Sequence, residues 1–337
     1  MKSNAPCAMV SRYSPISSRR ATTITLTAWG ASTAELGITF DEDYAGPGLK
    51  VKDFMPKGPN DDLGPKIKPG EYILQIDGED VSWNEAMYDT LLDKAGKNVN
   101  LLVNSKPSAD GAKTVKLKAI SRGQWAELNY DRKVREARAE VEKLSNGRLA
   151  YVHIQQMNAP SMRKMERELW GKAREKDGLV LDVRNNAGGN THDEILSQLS
   201  RTSYGSMQPR DAPKSTQPLR HWDKPIVLLI NENSTSDAEI FPYGFHTLKL
   251  GKIVGTTTPG YVIGTYDATL QNGTTYRIPT EGYWTLEGKD LENNGVKPDI
   301  AVEQVIDDNG NIQDKQLEVA VSTLLKELPH KQAVISK

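Results

Sequence analysis

Apolar positions follow two different rhythms along this chain, and the change falls near residue 122. Before it, the apolar runs are short and mostly alternate with polar residues, as half-buried strands do. AELGITF (34–40), GLKVKDFM (48–55), EYILQIDGEDV (71–81), NVNLLVNS (98–105) and TVKLKAI (114–120) read this way. Asp77-Gly78 supplies a tight hairpin turn inside the third run. A stretch dense in Pro, Gly and Asp, 56–72, reads as a loop. SWNEAMYDTLLDKAG (82–96) has helical spacing, with Gly96 as its expected stop. Residues 33–121 therefore form a small, strand-rich barrel with one helix.

A charged helical segment from about Trp125 to Leu144 leads into the second rhythm. GRLAYVHI, GLVLDVR, KPIVLLINE and GKIVGT are near-continuous apolar strands, and helical segments separate them. That alternation indicates an α/β unit with a largely parallel sheet over 122–337. GTYDATLQNGTTYRIPT (264–280) reads as an added hairpin turning at Asn272-Gly273, and the last helix runs from about Lys315 to Leu328. No internal repeat is visible.

Charge and cysteine content narrow the class. The 337 residues carry 43 Lys and Arg against 44 Asp and Glu, a formal net charge of −1. Near-neutrality argues against general nucleic-acid or membrane-surface binding. A single cysteine, Cys7, excludes an internal disulfide framework and a multi-cysteine zinc site. It fits a reducing compartment, so a cytoplasmic location is expected, with a periplasmic one if an upstream segment is missing. No stretch approaches the ~20 apolar residues of a membrane span. Residues 1–32 begin with a basic arm that has no acidic residue in its first thirty positions; a poorly ordered segment is expected there, with a transit-peptide composition as the alternative.

Three loops at strand ends carry the candidate chemistry, since ligands of α/β sheets gather at the carboxyl ends of strands. In Asn186-Ala187-Gly188-Gly189-Asn190 the glycines let backbone N–H groups converge on an anion. The plainer reading is a tight turn; a phosphate loop is disfavoured because no Gly-Lys-Ser/Thr follows. In Asn233-Ser234-Thr235-Ser236-Asp237-Ala238-Glu239, Ser236 begins a capping box, and a serine at a strand-to-helix turn is also well placed as a nucleophile. Ser234 stays open as a second candidate. In Asp290-Leu291-Glu292-Asn293-Asn294-Gly295, Glu292 is either turn chemistry or a carboxylate that orients an imidazole.

Together these stretches resemble the tail-specific, or C-terminal processing, serine peptidases, and within them the tricorn-type enzymes. Tyr151-Val152-His153-Ile154, LVLDVRNNAGGN, INENSTSDAEIF, KIVGTTTPG and LENNGVKPDI match in family order over the second unit. Leu36-Gly37-Ile38 and Ile67 through Gly78 resemble the carboxylate-binding loop and the most recognisable stretch of a PDZ domain. The resemblance implies a PDZ-like barrel followed by a crotonase-like α/β serine-peptidase domain. It implies Ser236 as nucleophile, Gly189 and Asp237 N–H groups as oxyanion hole, and Glu292 as support for the base. It implies peptide carboxyl ends bound at Leu36, Gly37 and Ile38, and a peptide or unfolded protein as substrate. No cofactor and no metal are implied; self-association into a homo-oligomer stays open.

One departure stands out. Tricorn-type enzymes place their catalytic histidine in a Ser-His pair before the PDZ domain, and no histidine precedes His153 here. His153 reads as packing, His192 as a neighbour of the oxyanion loop, and His221, His246 and His330 as surface or boundary residues. A serine hydroxyl without a base is a poor nucleophile. The expectation is a truncated or inactive peptidase, with a non-catalytic peptide-binding module as the alternative.

Overall fold

A computed structural model describes residues 32–61, 66–84, 86–306 and 312–328. The basic arm expected over 1–32 lies outside the described residues up to Ala31, and so does His330. The chain divides into two compact units between Ala126 and Glu127.

The first unit is an antiparallel sheet in the order β1-β2-β3-β5-β6, with β4 paired to β3. The strands are β1 (Ile38–Phe40), β2 (Leu49–Phe54), β3 (Tyr72–Ile76), β4 (Glu79–Asp80), β5 (Asn98–Asn104) and β6 (Lys113–Lys118). Alternation sends Val99, Leu101 and Val103 inward at 0% exposure, to meet Ile73, Ile76, Val115 and Leu117 in one core. Helix α1 is shorter than its spacing suggests, only Ala86–Thr90. The reason is local competition. The Leu91 carbonyl is taken by the Ala34 amide at 2.9 Å, and Thr33 bridges to Leu92, so the next turn joins strand-like pairing instead.

Helix α2 (Arg122–Leu144) leads into the second unit. There the central sheet is wholly parallel, ordered β15-β12-β11-β8-β7. Its strands are β7 (Leu149–His153), β8 (Gly178–Asp182), β11 (Ile226–Ile230), β12 (Gly251–Gly255) and β15 (Ile300–Ala301). The two central strands, β8 and β11, are buried at every residue, which is why they read as unbroken apolar runs. Their alternate side chains feed two cores. Leu179, Leu181, Ile226, Leu228 and Ile230 meet α3 (Ala159–Trp170), α4 (His192–Leu199) and α5 (Asp237–Thr247). Val180, Val227 and Leu229 meet α2 and α6 (Lys315–Glu327). α3 is capped at Gly171, and the chain continues as a 3-10 turn, Lys172–Glu175.

Three short pairings lie outside this sheet: β9 (Gly205–Met207) with β10 (Ser215–Gln217), β13 (Gly264–Thr269) with β14 (Thr275–Glu281), and β16 (Val305–Ile306) with β17 (Ile312–Gln313). Only the second has a clear sequence signal, the Asn272-Gly273 turn, closed by the Gly273 amide on the Leu270 carbonyl at 2.9 Å.

Candidate active site

The carboxyl ends of β8 and β11 carry the glycine loop and the serine turn side by side. β8 runs into Asn186-Ala187-Gly188-Gly189, and β11 runs into Ser234-Thr235-Ser236 at the start of α5. Asn186 is fully buried and holds the two together. Its side-chain amide donates to the Ile154 carbonyl at 2.9 Å, its side-chain oxygen accepts the Gly188 amide at 2.9 Å, and its main-chain carbonyl accepts the Thr235 amide at 3.0 Å. Contact is close enough to require glycine: a Cβ on Gly188 would lie 2.6 Å from Ser236 Cβ and 3.0 Å from the Asp237 nitrogen. Gly189 is needed too, because a Cβ there would overlap the Met157 carbonyl oxygen.

Ser236 is the N-cap of α5, with φ 55° and ψ −123°, a conformation that residues with a Cβ rarely adopt. Such a position costs roughly 1–3 kcal/mol and persists only where the surroundings enforce it. Here they do. The Ser236 amide donates to the Tyr261 carbonyl at 2.9 Å and to the Glu239 carboxylate at 3.2 Å. Glu239, buried at 0% exposure, also accepts from the Gly260 and Tyr261 amides and the Thr258 hydroxyl. The carboxylate thus fixes both the serine turn and the 258–262 segment that runs past it.

Two amides beside Ser236 have no acceptor among the described residues: Gly189 N–H and Asp237 N–H. For Gly189 the cause is the bridge to Met157. The Met157 amide donates to the Gly188 carbonyl and its carbonyl accepts the Asn190 amide, so the groups of Gly189 itself face away from Met157. For Asp237 the cause is its place as the first residue of a helix, whose amide has no intrahelical partner. The Asp237 carboxylate caps α4 instead, accepting the Thr191 amide at 2.7 Å and the His192 amide at 3.1 Å. It also pairs with His192 Nδ1. That hydrogen bond raises the His192 pKa above its ordinary value against the opposing effect of burial.

Glu292 approaches from a third loop, where its carboxylate accepts the Val262 amide at 2.6 Å. The neighbouring Tyr261 carbonyl is the one that holds the Ser236 amide, so Ser236 and Glu292 grip the two ends of one peptide group, that between Tyr261 and Val262. Among the described residues no imidazole is hydrogen-bonded to the Ser236 hydroxyl. His153 bonds Tyr130 and the Arg184 carbonyl, and burial pushes its imidazole down. His221 is not a surface residue as expected: it is 6% exposed, with Nδ1 2.7 Å from the Pro218 carbonyl. His246 is exposed. Ser234 is fully buried and spent on structure, donating to the Val183 carbonyl at 2.9 Å and accepting the Asn231 amide at 3.1 Å. No site for a metal forms among the described residues.

In the first unit, Leu36 and Ile38 bury their side chains in the core, at 3% and 7% exposure. β1 is the terminal strand of its sheet, and Glu35, shortly before it, pairs with Ile120 through the bonds Glu35 amide to Ile120 carbonyl at 2.8 Å and Ile120 amide to Glu35 carbonyl at 2.9 Å. No described helix is long and apolar enough to cross a membrane.

Comparison with known proteins bears on the class of both units. Residues 148–302 match the family model for Peptidase family S41, and residues 50–122 match the model for the tricorn protease PDZ domain. This is therefore a chain with a PDZ domain and an S41 serine-peptidase domain, of the tricorn type. The tricorn protease of Thermoplasma volcanium is 30% identical over 268 residues, covering 77% of this chain and 25% of that protein. Tricorn protease homolog 1 of Streptomyces coelicolor is 33% identical, covering 79% and 25%. The crystal structure of the tricorn protease superposes with a TM-score of 0.72 at 26% identity, covering 88% of this chain and 29% of that one. The carboxy-terminal-processing protease of Bartonella bacilliformis is 27% identical over 256 residues. The chain thus spans about a quarter of the length of the tricorn relatives it matches.

Proposed function

We propose that this chain holds the acyl-transfer site of a serine peptidase, acting on peptides or unfolded proteins, in a domain of crotonase-like type. Ser236 is the nucleophile, and the Gly189 and Asp237 amides stabilise the tetrahedral oxyanion. Glu292 orients the base. The observation that carries this reading is the pair of acceptor-less amides beside a strained serine. Donors held ready for a charge that develops only in the transition state lower its barrier by several kcal/mol. Such donors stay unpaired in the resting protein. β1 takes the carboxyl end of a peptide as an added strand at Leu36, Gly37 and Ile38.

A second reading has one observation in its favour: among the described residues no imidazole meets the Ser236 hydroxyl. On that reading the chain binds peptides without cleaving them. A peptide boronic acid separates the readings from other roles, because it forms a tetrahedral anion on the serine. Amide NMR should show the Gly189 and Asp237 signals shifting on its addition, and Ser236→Ala should abolish the shift. Unmoved amides would sink the oxyanion assignment. Peptide hydrolysis by this chain is expected to be slight. Robust turnover lost in Ser236→Ala but kept in His192→Ala would show that another group serves as base.

A further inference from the structure

The β13–β14 hairpin is anchored at its root and bare along its stem. At the root, Val262 is 4% exposed and packs with Leu291, Val296, Ile240, Tyr243 and Tyr283. The same root carries the Tyr261 carbonyl that holds Ser236 and the Val262 amide that meets Glu292. The stem begins two residues later, at Gly264.

Along the stem, register sorts the side chains. Tyr266 faces Ile278 and Ala268 faces Tyr276, so these four share one face, and Leu270 continues it. The other face carries Thr265, Asp267, Thr269, Thr275 and Arg277, with Asp267 opposite Arg277. The hairpin is amphipathic, yet its apolar face is uncovered: Tyr266 is 54% exposed, Leu270 49% and Tyr276 46%. Among the described residues no third strand joins the pair. A lone two-stranded hairpin is marginal in water, and an exposed apolar face marks a surface awaiting a partner. The two edges differ. β14 contains Pro279, which lacks an N–H, whereas β13 contains no proline and keeps its donors and acceptors for an added strand.

We infer that this hairpin docks the extended polypeptide substrate, which adds along the outer edge of β13 and sets apolar side chains beside Tyr266 and Leu270. The inference rests on the peptidase reading of Ser236. Continuity with the site selects this occupant. The docking edge starts three residues from the segment that grips Ser236, and its six residues extend about 20 Å from there. A stem whose charges face each other across the strands favours a neutral, extended, apolar-rich chain over a charged one.

The test uses the full chain with a photo-crosslinking benzoyl-phenylalanine at Thr269, on β13, or at Tyr261, beside Ser236. The probe is reduced, carbamidomethylated α-lactalbumin, which cannot refold and whose blocked cysteines carry no charge. Crosslinking from both positions is expected, with none to native α-lactalbumin. The triple variant Tyr266→Ser, Leu270→Ser, Tyr276→Ser should weaken binding at least about tenfold, a loss of about 1.4 kcal/mol. Its thermal unfolding should match the parent, since all three side chains are exposed. Undiminished binding by the triple variant overturns the inference. So does a concentration-dependent dimer that the triple variant dissolves while no α-lactalbumin crosslinks, because a second copy then covers the face. Crosslinking from Thr269 and never from Tyr261 would keep the hairpin as a polypeptide dock and overturn the Ser236 assignment instead.

Discussion

Two polar constellations flank the carboxyl end of β8, and they are built on opposite principles. On the side of α6, Arg184 bonds Asp182 at 2.7 Å, Asp314 at 2.7 Å and Gln316 at 3.1 Å, while the Tyr151 hydroxyl donates to Asp182 at 2.9 Å. Asp182 is 1% exposed and Arg184 7%. The charges are buried, but they answer one another. On the side of α5, the serine turn and glycine loop hold few charges aimed at the reacting atoms. They hold two unanswered amides and a serine in a strained backbone conformation. The comparison teaches where function sits. A buried ion cluster with satisfied partners is architecture, whereas uncompensated donors and stored strain are what a reaction uses.

The largest expected effect falls on the satisfied cluster. Asp182→Ala leaves the Arg184 guanidinium buried with half its partners gone, and such losses cost about 3–5 kcal/mol. Urea unfolding should register it. The cluster also sets the acid limit. Burial opposes ionisation of Asp182, but Arg184 prevails and holds its pKa below the ordinary 3.8; Asp314 is lowered too, against the same opposition from burial. A depressed folded pKa gives stability that is complete above the unfolded value and is lost as pH falls through the folded one. Stability should therefore fall below about pH 4, and Asp182→Ala should flatten that slope. An unchanged acid profile in the variant would remove the cluster from this role.

Next come two serines two residues apart, with opposite expectations. Ser234→Ala strands the Asn231 amide inside the core and should destabilise by about 1–3 kcal/mol. Ser236→Gly replaces a strained residue by one that tolerates φ 55°, and should stabilise by about 1 kcal/mol. Equal losses in both would mean that Ser236 carries no strain and the contrast between the constellations fails.

Much of the architecture is legible in the sequence because it rests on local periodicity. The unbroken runs of β8 and β11, the period-2 pattern of β5, and the Asn272-Gly273 turn each carry their own signal. What is not legible depends on distant partners. Arg184 and Asp314 are 130 positions apart, and His192 and Asp237 are 45 apart. Nothing in the spacing of Leu91 and Leu92 reveals that Thr33 and Ala34 will claim their backbone and stop α1 at Thr90. For the site, the residue types of the three loops could be read, but not the left-handed φ of Ser236 or the buried Glu239 that enforces it. The capping-box pattern, Ser236 with Glu239, was the one available signal for that carboxylate, and its amide half forms.

The smallest expected effect tests the one ion pair that belongs to the site itself. His192 lies at the start of α4, with its ring on the Asp237 carboxylate. That hydrogen bond raises its pKa most; burial opposes the shift, and the charges of Asp237, Asp193 and Glu194 add to it. A raised folded pKa makes the contribution complete below the unfolded value of about 6.5 and removes it as pH rises through the folded value. The side chain is 28% exposed, so solvent screening keeps the pair near the level of surface pairs, about 0.2–1 kcal/mol. Histidine-detected NMR should place the His192 titration above 6.5. Asp237→Asn keeps an oxygen for the Thr191 and His192 amides but removes the charge, so α4 stays capped while the titration moves down. If His192 titrates alike in both proteins, the carboxylate beside the oxyanion amides is uncompensated at every pH. It would then oppose the very anion that those amides are placed to receive, and the oxyanion assignment would fail.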